Sequence, residues 1–300
     1  MTLLERPFPL YRLDKGGIEG RSYFSGDKNT GFTFYTGVTT FISRKVPTDS
    51  DYWLNKWRSE TDPNVINDKM RLSSTYGTFS HMCLEFLVTN GELDLSSNTL
   101  NSILHMALVK DETVEVHETK GWIDSVKKDM LAVNQWIMDK NFVALAAEIQ
   151  LGVEGQYLNL AGTIDLVGYI DHNNKRMPVI VDYKTGRQSE DHVWQLMIYR
   201  DLWNYHFPDY KVDMCYNLHP KDWRKQPSYD FKPRKITEDH TKKMNHYLQA
   251  AAIDKESLMP GNSLEITGEK VEMGKATDYE VLTPEQQAER KLNQFEQEES

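Results

Sequence analysis

The chain has 300 residues, 39% hydrophobic and 11% aromatic, enough to bury a sizeable core in one large domain or one domain with appendages. Its formal net charge of −10 argues against a protein that coats nucleic acid through bulk positive charge, but does not exclude an enzyme that grips a few phosphates locally. Cys83 and Cys215 are too few for a disulfide framework, a four-thiolate zinc site or an iron–sulfur cluster. No apolar run approaches the ~20 residues of a membrane span, and the start Met1-Thr-Leu-Leu-Glu-Arg-Pro lacks a secretory signal's apolar stretch. A reducing, cytoplasmic setting without membrane attachment is therefore expected.

Residues 1–31, rich in Gly, Ser and charge, read as an irregular N-terminal arm. Residues 32–42 are dense in β-branched and aromatic side chains, the pattern of a strand or a strand entering a helix. A helix is predicted over 50–60, with Trp53 and Trp57 on one face, and another over 75–90, ending at the stop signal Asn90-Gly91. On the second of these, His81 and Glu85 are four apart and share a face. A helix over 122–140 and a short strand over 144–149 follow. Residues 157–170 and 177–184 read as antiparallel strands joined by a turn at 171–175. Ser189 is a good N-cap for a helix that carries Gln195 and Tyr199, again four apart. After a strand over 211–218, residues 221–235 read as a loop mixing basic residues with Trp223, Tyr229 and Phe231. Thr237 caps a helix running to about 252. Thr283-Pro284-Glu285-Gln286 opens a last helix, polar all round and assigned no chemistry, inside a C-terminal extension over 256–300.

Chemistry concentrates in Val179-Ile180-Val181-Asp182-Tyr183-Lys184. Alternation along a strand projects Asp182 and Lys184 to the same side, at the end of a run apolar enough to be buried on both faces. A carboxylate and an ammonium there are costly unless they pair or hold a metal. In ordinary hairpin register Asp165 comes close to Asp182, and two carboxylates at one point repel unless a cation neutralises them. Hard oxygen ligands suit Mg2+ or Mn2+. An ion held by Asp165 and Asp182 would polarise a phosphate and acidify a bound water, with Lys184 orienting that water or stabilising developing charge. Each residue alone also has a plain reading: an edge-strand surface pair for Asp182 and Lys184, a turn or ladder-end residue for Asp165, a hydrogen-bonded helix histidine for His81, a surface acid for Glu148.

Order and spacing together weigh more than any single residue. Gly77-Thr78-Phe79-Ser80-His81 with Leu84-Glu85, Gly162-Thr163-Ile164-Asp165, Val181-Asp182-Tyr183-Lys184-Thr185-Gly186, and Gln195-Leu196 with Tyr199 resemble, in order, the four motifs of RecB-like nucleases of the PD-(D/E)XK superfamily. Gly37-Val38-Thr39-Thr40-Phe41-Ile42 and the Trp53 to Trp57 segment are similar to the upstream pattern of the mitochondrial genome-maintenance exonuclease and its phage and bacterial relatives. The resemblance spans residues 37–218. It implies an α/β, restriction-endonuclease-like core over 32–255, a central mixed sheet flanked by helices. It implies His81, Asp165 and Asp182 as metal ligands, the Tyr183 carbonyl as a further one, and Lys184 as the catalytic lysine. Gln195, Tyr199 and Thr185 would stand beside the substrate or support the lysine, and Glu148 falls where some relatives carry an extra acid. Lys221, Trp223 and Arg224 are candidates for phosphate contact and base stacking. The implied activity is Mg2+- or Mn2+-dependent exonuclease action on DNA, single-stranded ends foremost, in replication, recombination or repair in a bacterium or phage-infected host. The alternatives are a structure-specific endonuclease, a catalytically silent nucleic-acid-binding protein, or a hydrolase of another phosphoester.

Overall fold

The computed structural model describes residues 3–14, 20–47, 56–110, 113–186, 189, 191–266 and 279–298. In chain order the first elements are β1 (Tyr11–Asp14), β2 (Arg21–Asp27), β3 (Gly31–Gly37), α1 (Val38–Lys45), α2 (Pro63–Asn90), α3 (Ser97–Lys110) and α4 (Trp122–Lys140). Next come β4 (Val143–Val153), β5 (Leu160–His172), β6 (Lys175–Tyr183), α5 (His192–His206), β7 (Met214–Pro220) and β8 (Tyr229–Arg234). The chain closes with α6 (Glu238–Ile253), β9 (Ser263–Ile266), β10 (Tyr279–Leu282) and α7 (Pro284–Glu298). These elements fall into two compact units: Met1–Glu5, Pro47–Leu151 and Thr163–Met244 form one, and Arg6–Val46, Gly152–Gly162 and Asn245–Ser300 the other.

The first unit is an α/β sandwich around a mixed sheet in the order β4, β5, β6, β7, β8. β5 and β6 pair antiparallel from Leu166↔Val181 to His172↔Lys175, β6 and β7 pair parallel, and β7 and β8 antiparallel. The hairpin closes on Asn173 and Asn174, with φ of 49° and 58°. A two-residue turn of this hand needs positive φ at both positions, and Asn tolerates it where β-branched residues do not. The turn is thus tighter than the five-residue connection expected. Alternation sorts the strand residues. Leu166, Ile170, Val179, Val181, Tyr183, Tyr216 and Leu218 join a core with Phe79, Leu84, Leu100, Leu104, Val133 and Trp136 from α2, α3 and α4. Fully burying each such side chain stabilises by about 1.5–3 kcal/mol. The other sheet face, with Ile180, Asp182, Cys215 and Asn217, is the one α5 covers; Cys215 Sγ lies 3.8 Å from the Leu196 carbonyl.

Three boundaries in this unit differ from expectation. α2 begins at Pro63 rather than 75, because Asp62 caps it by accepting from the Asn64 N–H at 2.8 Å and proline occupies its first turn. Its early turns are mostly exposed and show no apolar periodicity to read. Gly91, at φ 75°, ends it as the Asn-Gly signal predicts. α5 starts at His192, and Ser189 instead forms a turn, donating to Asp191 Oδ2 at 2.8 Å and accepting from the Asp191 N–H at 3.1 Å. The second half of the expected 221–235 loop is strand β8, an edge strand carrying a proline that obscures its pattern. Of the predicted 50–60 helix, residues 56–60 are helical, with Lys69 Nζ 6.0 Å from the Trp57 ring; Trp53 lies outside the described residues.

In the second unit β1, β2 and β3 form an antiparallel meander, and β3 pairs in parallel with Leu160 and Ala161. The first 31 residues, expected as an irregular arm, therefore contain two strands. β9 and β10 pair antiparallel. The last helix has the predicted capping box, with the Thr283 N–H donating to Gln286 Oε1 at 2.8 Å and the Gln286 N–H to Thr283 Oγ1 at 3.4 Å. It is not polar all round. Ala288 is fully buried against Leu13 and Phe24, Leu292 packs on the same cluster, and the Phe295 ring lies 5.4 Å from Tyr11. The spacing of 288, 292 and 295 makes one apolar stripe. Among the described residues no helix is long and apolar enough to cross a membrane.

Candidate active site

Three elements of the first unit deliver ligand-type side chains to one point. His81 comes from α2, Glu148 from β4 and Asp165 from β5, and one donor atom of each lies within 4.8 Å of the others. His81 Nδ1 is 3.1 Å from Glu148 Oε1 and 3.7 Å from Asp165 Oδ1. The other Asp165 oxygen accepts the Tyr183 backbone N–H at 2.7 Å, where β5 and β6 part beyond their last paired residues. The Tyr183 phenol bonds Ser80 at 2.7 Å, and its ring meets the His81 imidazole edge-on at 5.2 Å. Neighbours on α2 thus anchor Tyr183 and set the imidazole plane. Glu148 sits in mid-strand at φ 46°, a left-handed conformation that costs an L residue of order 1–3 kcal/mol and aims its carboxylate at His81.

A second group extends from the end of β6. Lys184 Nζ stands 2.9 Å from Asp182 Oδ1 and 3.5 Å from Gln195 Oε1, and Gln195 Nε2 donates to the Tyr199 hydroxyl at 3.0 Å. The i, i+4 spacing on α5 is what lets Gln195 and Tyr199 meet. Asp182 is 1% exposed, and its Oδ2 accepts from Asn217 Nδ2 at 2.6 Å. Its Oδ1 makes no hydrogen bond of good geometry among the described residues and faces the Lys184 ammonium. His219 Nδ1 donates to the Lys184 carbonyl at 2.6 Å, and the Lys184 N–H donates to the Leu218 carbonyl at 2.9 Å, fixing the lysine backbone against β7.

Charge at this point is unbalanced. Burial first, then Asp182 and Glu148, lift the Asp165 carboxyl well above the usual carboxylate range, although His81 opposes them. Burial alone would strip the His81 proton, but Asp165 and Glu148 reverse that and raise its pKa. Two carboxylates and an imidazole converging in a half-buried spot, with a third carboxylate one register step away, fit a divalent cation as their common partner. His81, Glu148 and Asp165 could hold it, with Asp182 Oδ1 beside them.

Thr185 stands opposite Gly77, whose missing Cβ would lie 3.7 Å from its Oγ1. The 221–224 residues make their contacts elsewhere. Lys221 pairs with Asp230 at 2.5 Å, Trp223 donates to the Lys128 carbonyl of α4 at 3.2 Å, and Arg224 is exposed. Residues not singled out from the sequence join instead. Asn217, His219 and Arg234 surround the end of β6, and His192, beside Asn217, faces the same charges. The available signal was polar residues at alternate positions of an otherwise apolar strand, Asn217 and His219 in Cys215-Tyr216-Asn217-Leu218-His219.

Comparison with known proteins adds the family. The model of the PD-(D/E)XK nuclease superfamily matches residues 55–298. No curated protein matches. Among solved structures, a candidate exonuclease from Eubacterium rectale is similar at TM-score 0.41 and 9% identity, over 74% of this chain and 82% of that one. The protein SSO0001 is similar at TM-score 0.28 and 13% identity, over 59% of this chain and 74% of that one. At these TM-scores the likenesses carry no argument. The family match, over most of the chain, does: this protein belongs to the PD-(D/E)XK nuclease superfamily, phosphodiester hydrolases that act on nucleic acid.

Proposed function

We propose that the chain is a Mg2+- or Mn2+-dependent DNA exonuclease that works from single-stranded ends in DNA replication, recombination or repair. The observation that carries the metal-dependent reading is the convergence of His81, Glu148 and Asp165 beside the Asp182 and Lys184 pair. The preference for ends is supported by the similarity of residues 37–42 to the genome-maintenance exonuclease pattern. His81, Glu148, Asp165 and Asp182, with the Tyr183 carbonyl, would hold the ion. Once bound, the ion would neutralise the clustered carboxylates, polarise the scissile phosphate and make a nucleophile of water near neutral pH.

The protein's own groups do the rest. The Lys184 ammonium, held by Asp182 and steered by Gln195, is placed to stabilise charge that grows on the phosphoryl oxygens. Tyr199 fixes Gln195, so the lysine keeps one of its many rotamers at little cost during reaction. Thr185, two residues beyond the end of β6 and opposite Gly77, would contact the substrate.

End-labelled linear and closed circular single-stranded DNA, incubated with Mg2+, Mn2+ or EDTA, test this. Metal-dependent loss of the linear strand with circles intact is expected. Cut circles would replace the exonuclease with an endonuclease on the same scaffold, and no cleavage with DNA still bound would leave a binding protein.

A further inference from the structure

Behind Asp182 the sheet buries a polar chain that a purely structural core has no use for. Asn217 is fully buried on β7, directly across the parallel register from Asp182, so the two side chains share a face. Its Nδ2 donates to Asp182 Oδ2 at 2.6 Å, and its Oδ1 accepts from Nε of Arg234, itself only 6% exposed on β8. A guanidinium only donates and an ionised carboxylate only accepts, so the amide between them has one possible orientation. Buried polar groups of this kind cost free energy unless every one is satisfied, and leucine-sized residues would fill the space more cheaply.

We propose that Asn217 and Arg234 are positioning residues for the metal centre. Asn217 occupies one oxygen of Asp182 and leaves Oδ1 as the single oxygen presented to Lys184 and the cation, and Arg234 locks the amide in that orientation. The inference rests on the metal-dependent reading above, and assigns the sheet a part in it that the motif residues do not include. Arg234 reaches Asp182 through Asn217. The arrangement follows the general rule that groups hydrogen-bonded to a metal's ligands orient them and tune the metal's affinity.

The test compares wild type with Asn217→Leu, Arg234→Lys and the paired change Asn217→Leu with Arg234→Met. The last also removes the guanidinium that Asn217→Leu alone would strand, leaving only Asp182 Oδ2 without its donor, which keeps the test open if Asn217→Leu alone fails to fold. Mn2+ binding is measured by calorimetry, and kcat and KM on linear single-stranded DNA in saturating Mn2+. Asn217→Leu and the paired variant should each bind Mn2+ about 10–100-fold more weakly and lose kcat with KM held within about twofold. Arg234→Lys should keep part of both properties. Wild-type binding and cleavage matched within about twofold by the paired variant would overturn the positioning role alone. A wild type that neither binds Mn2+ nor cleaves would instead overturn the metal-dependent reading beneath it.

Discussion

Glu148 combines two costs at one residue. Its backbone is left-handed, at φ 46°, and its carboxylate stands against His81 in a cluster that already holds Asp165. Glu148→Ala and Glu148→Gly both remove the carboxylate, but only glycine adopts that φ without penalty. The glycine variant should therefore be more stable than the alanine variant by about 1 kcal/mol in denaturant unfolding, with nuclease activity low in both. Equal stability would mean the backbone is not strained there. At a distance from the site, Arg71 grips Glu118 by two hydrogen bonds, at 2.6 and 2.9 Å, and these hold the Glu118 carboxyl down to about 2 from an ordinary 4.5. A depressed folded-state value means the pair's contribution is fully present above the ordinary carboxylate range and is lost as pH falls toward about 2. An NMR titration of Glu118 should move back toward 4.5 in Arg71→Ala, and an unchanged midpoint would contradict the assignment.

At the scale of elements, the helices on the core side of the sheet keep α2 in place and so keep His81 aimed. Trp136 of α4 is fully buried, and its ring packs 4.7 Å from Phe142 and 5.4 Å from Phe231. Trp136→Ala should cost about 3–5 kcal/mol in unfolding free energy. A loss under about 1 kcal/mol would show that α4 contributes little to the core. What sequence could reveal here followed from range. His81 and Glu85, Gln195 and Tyr199, and Asp182 and Lys184 are each set by helix or strand periodicity, so their shared faces could be read directly. The hairpin register that brings Asp165 toward Asp182 needed only a short turn. Asn217 and Arg234 reach Asp182 through a parallel crossover and an edge strand, and no local pattern encodes that meeting. The left-handed backbone at Glu148 is equally invisible, because glutamate carries no signal for it. At α7 the charged residues around it hide a sparse apolar stripe of Ala288, Leu292 and Phe295.

For the whole molecule, a formal charge of −10 sets the terms on which nucleic acid can bind. Substrate contact has to be local, so KM for single-stranded DNA should rise with salt on a shallow log–log slope of about 2–4, the mark of a few phosphates. A slope near 10 would indicate an extended basic track instead. Metal and lysine then divide the work at one point of the sheet, and that division can be measured. Mn2+ binding by calorimetry and cleavage of linear single-stranded DNA should be followed together in wild type, Asp165→Ala and Lys184→Ala. Asp165→Ala should lose both metal binding and cleavage, whereas Lys184→Ala should keep Mn2+ affinity within about threefold and lose cleavage by at least about 100-fold. Cleavage by Lys184→Ala at the wild-type rate, or undiminished Mn2+ binding by Asp165→Ala, would contradict the placement of the active centre at this site.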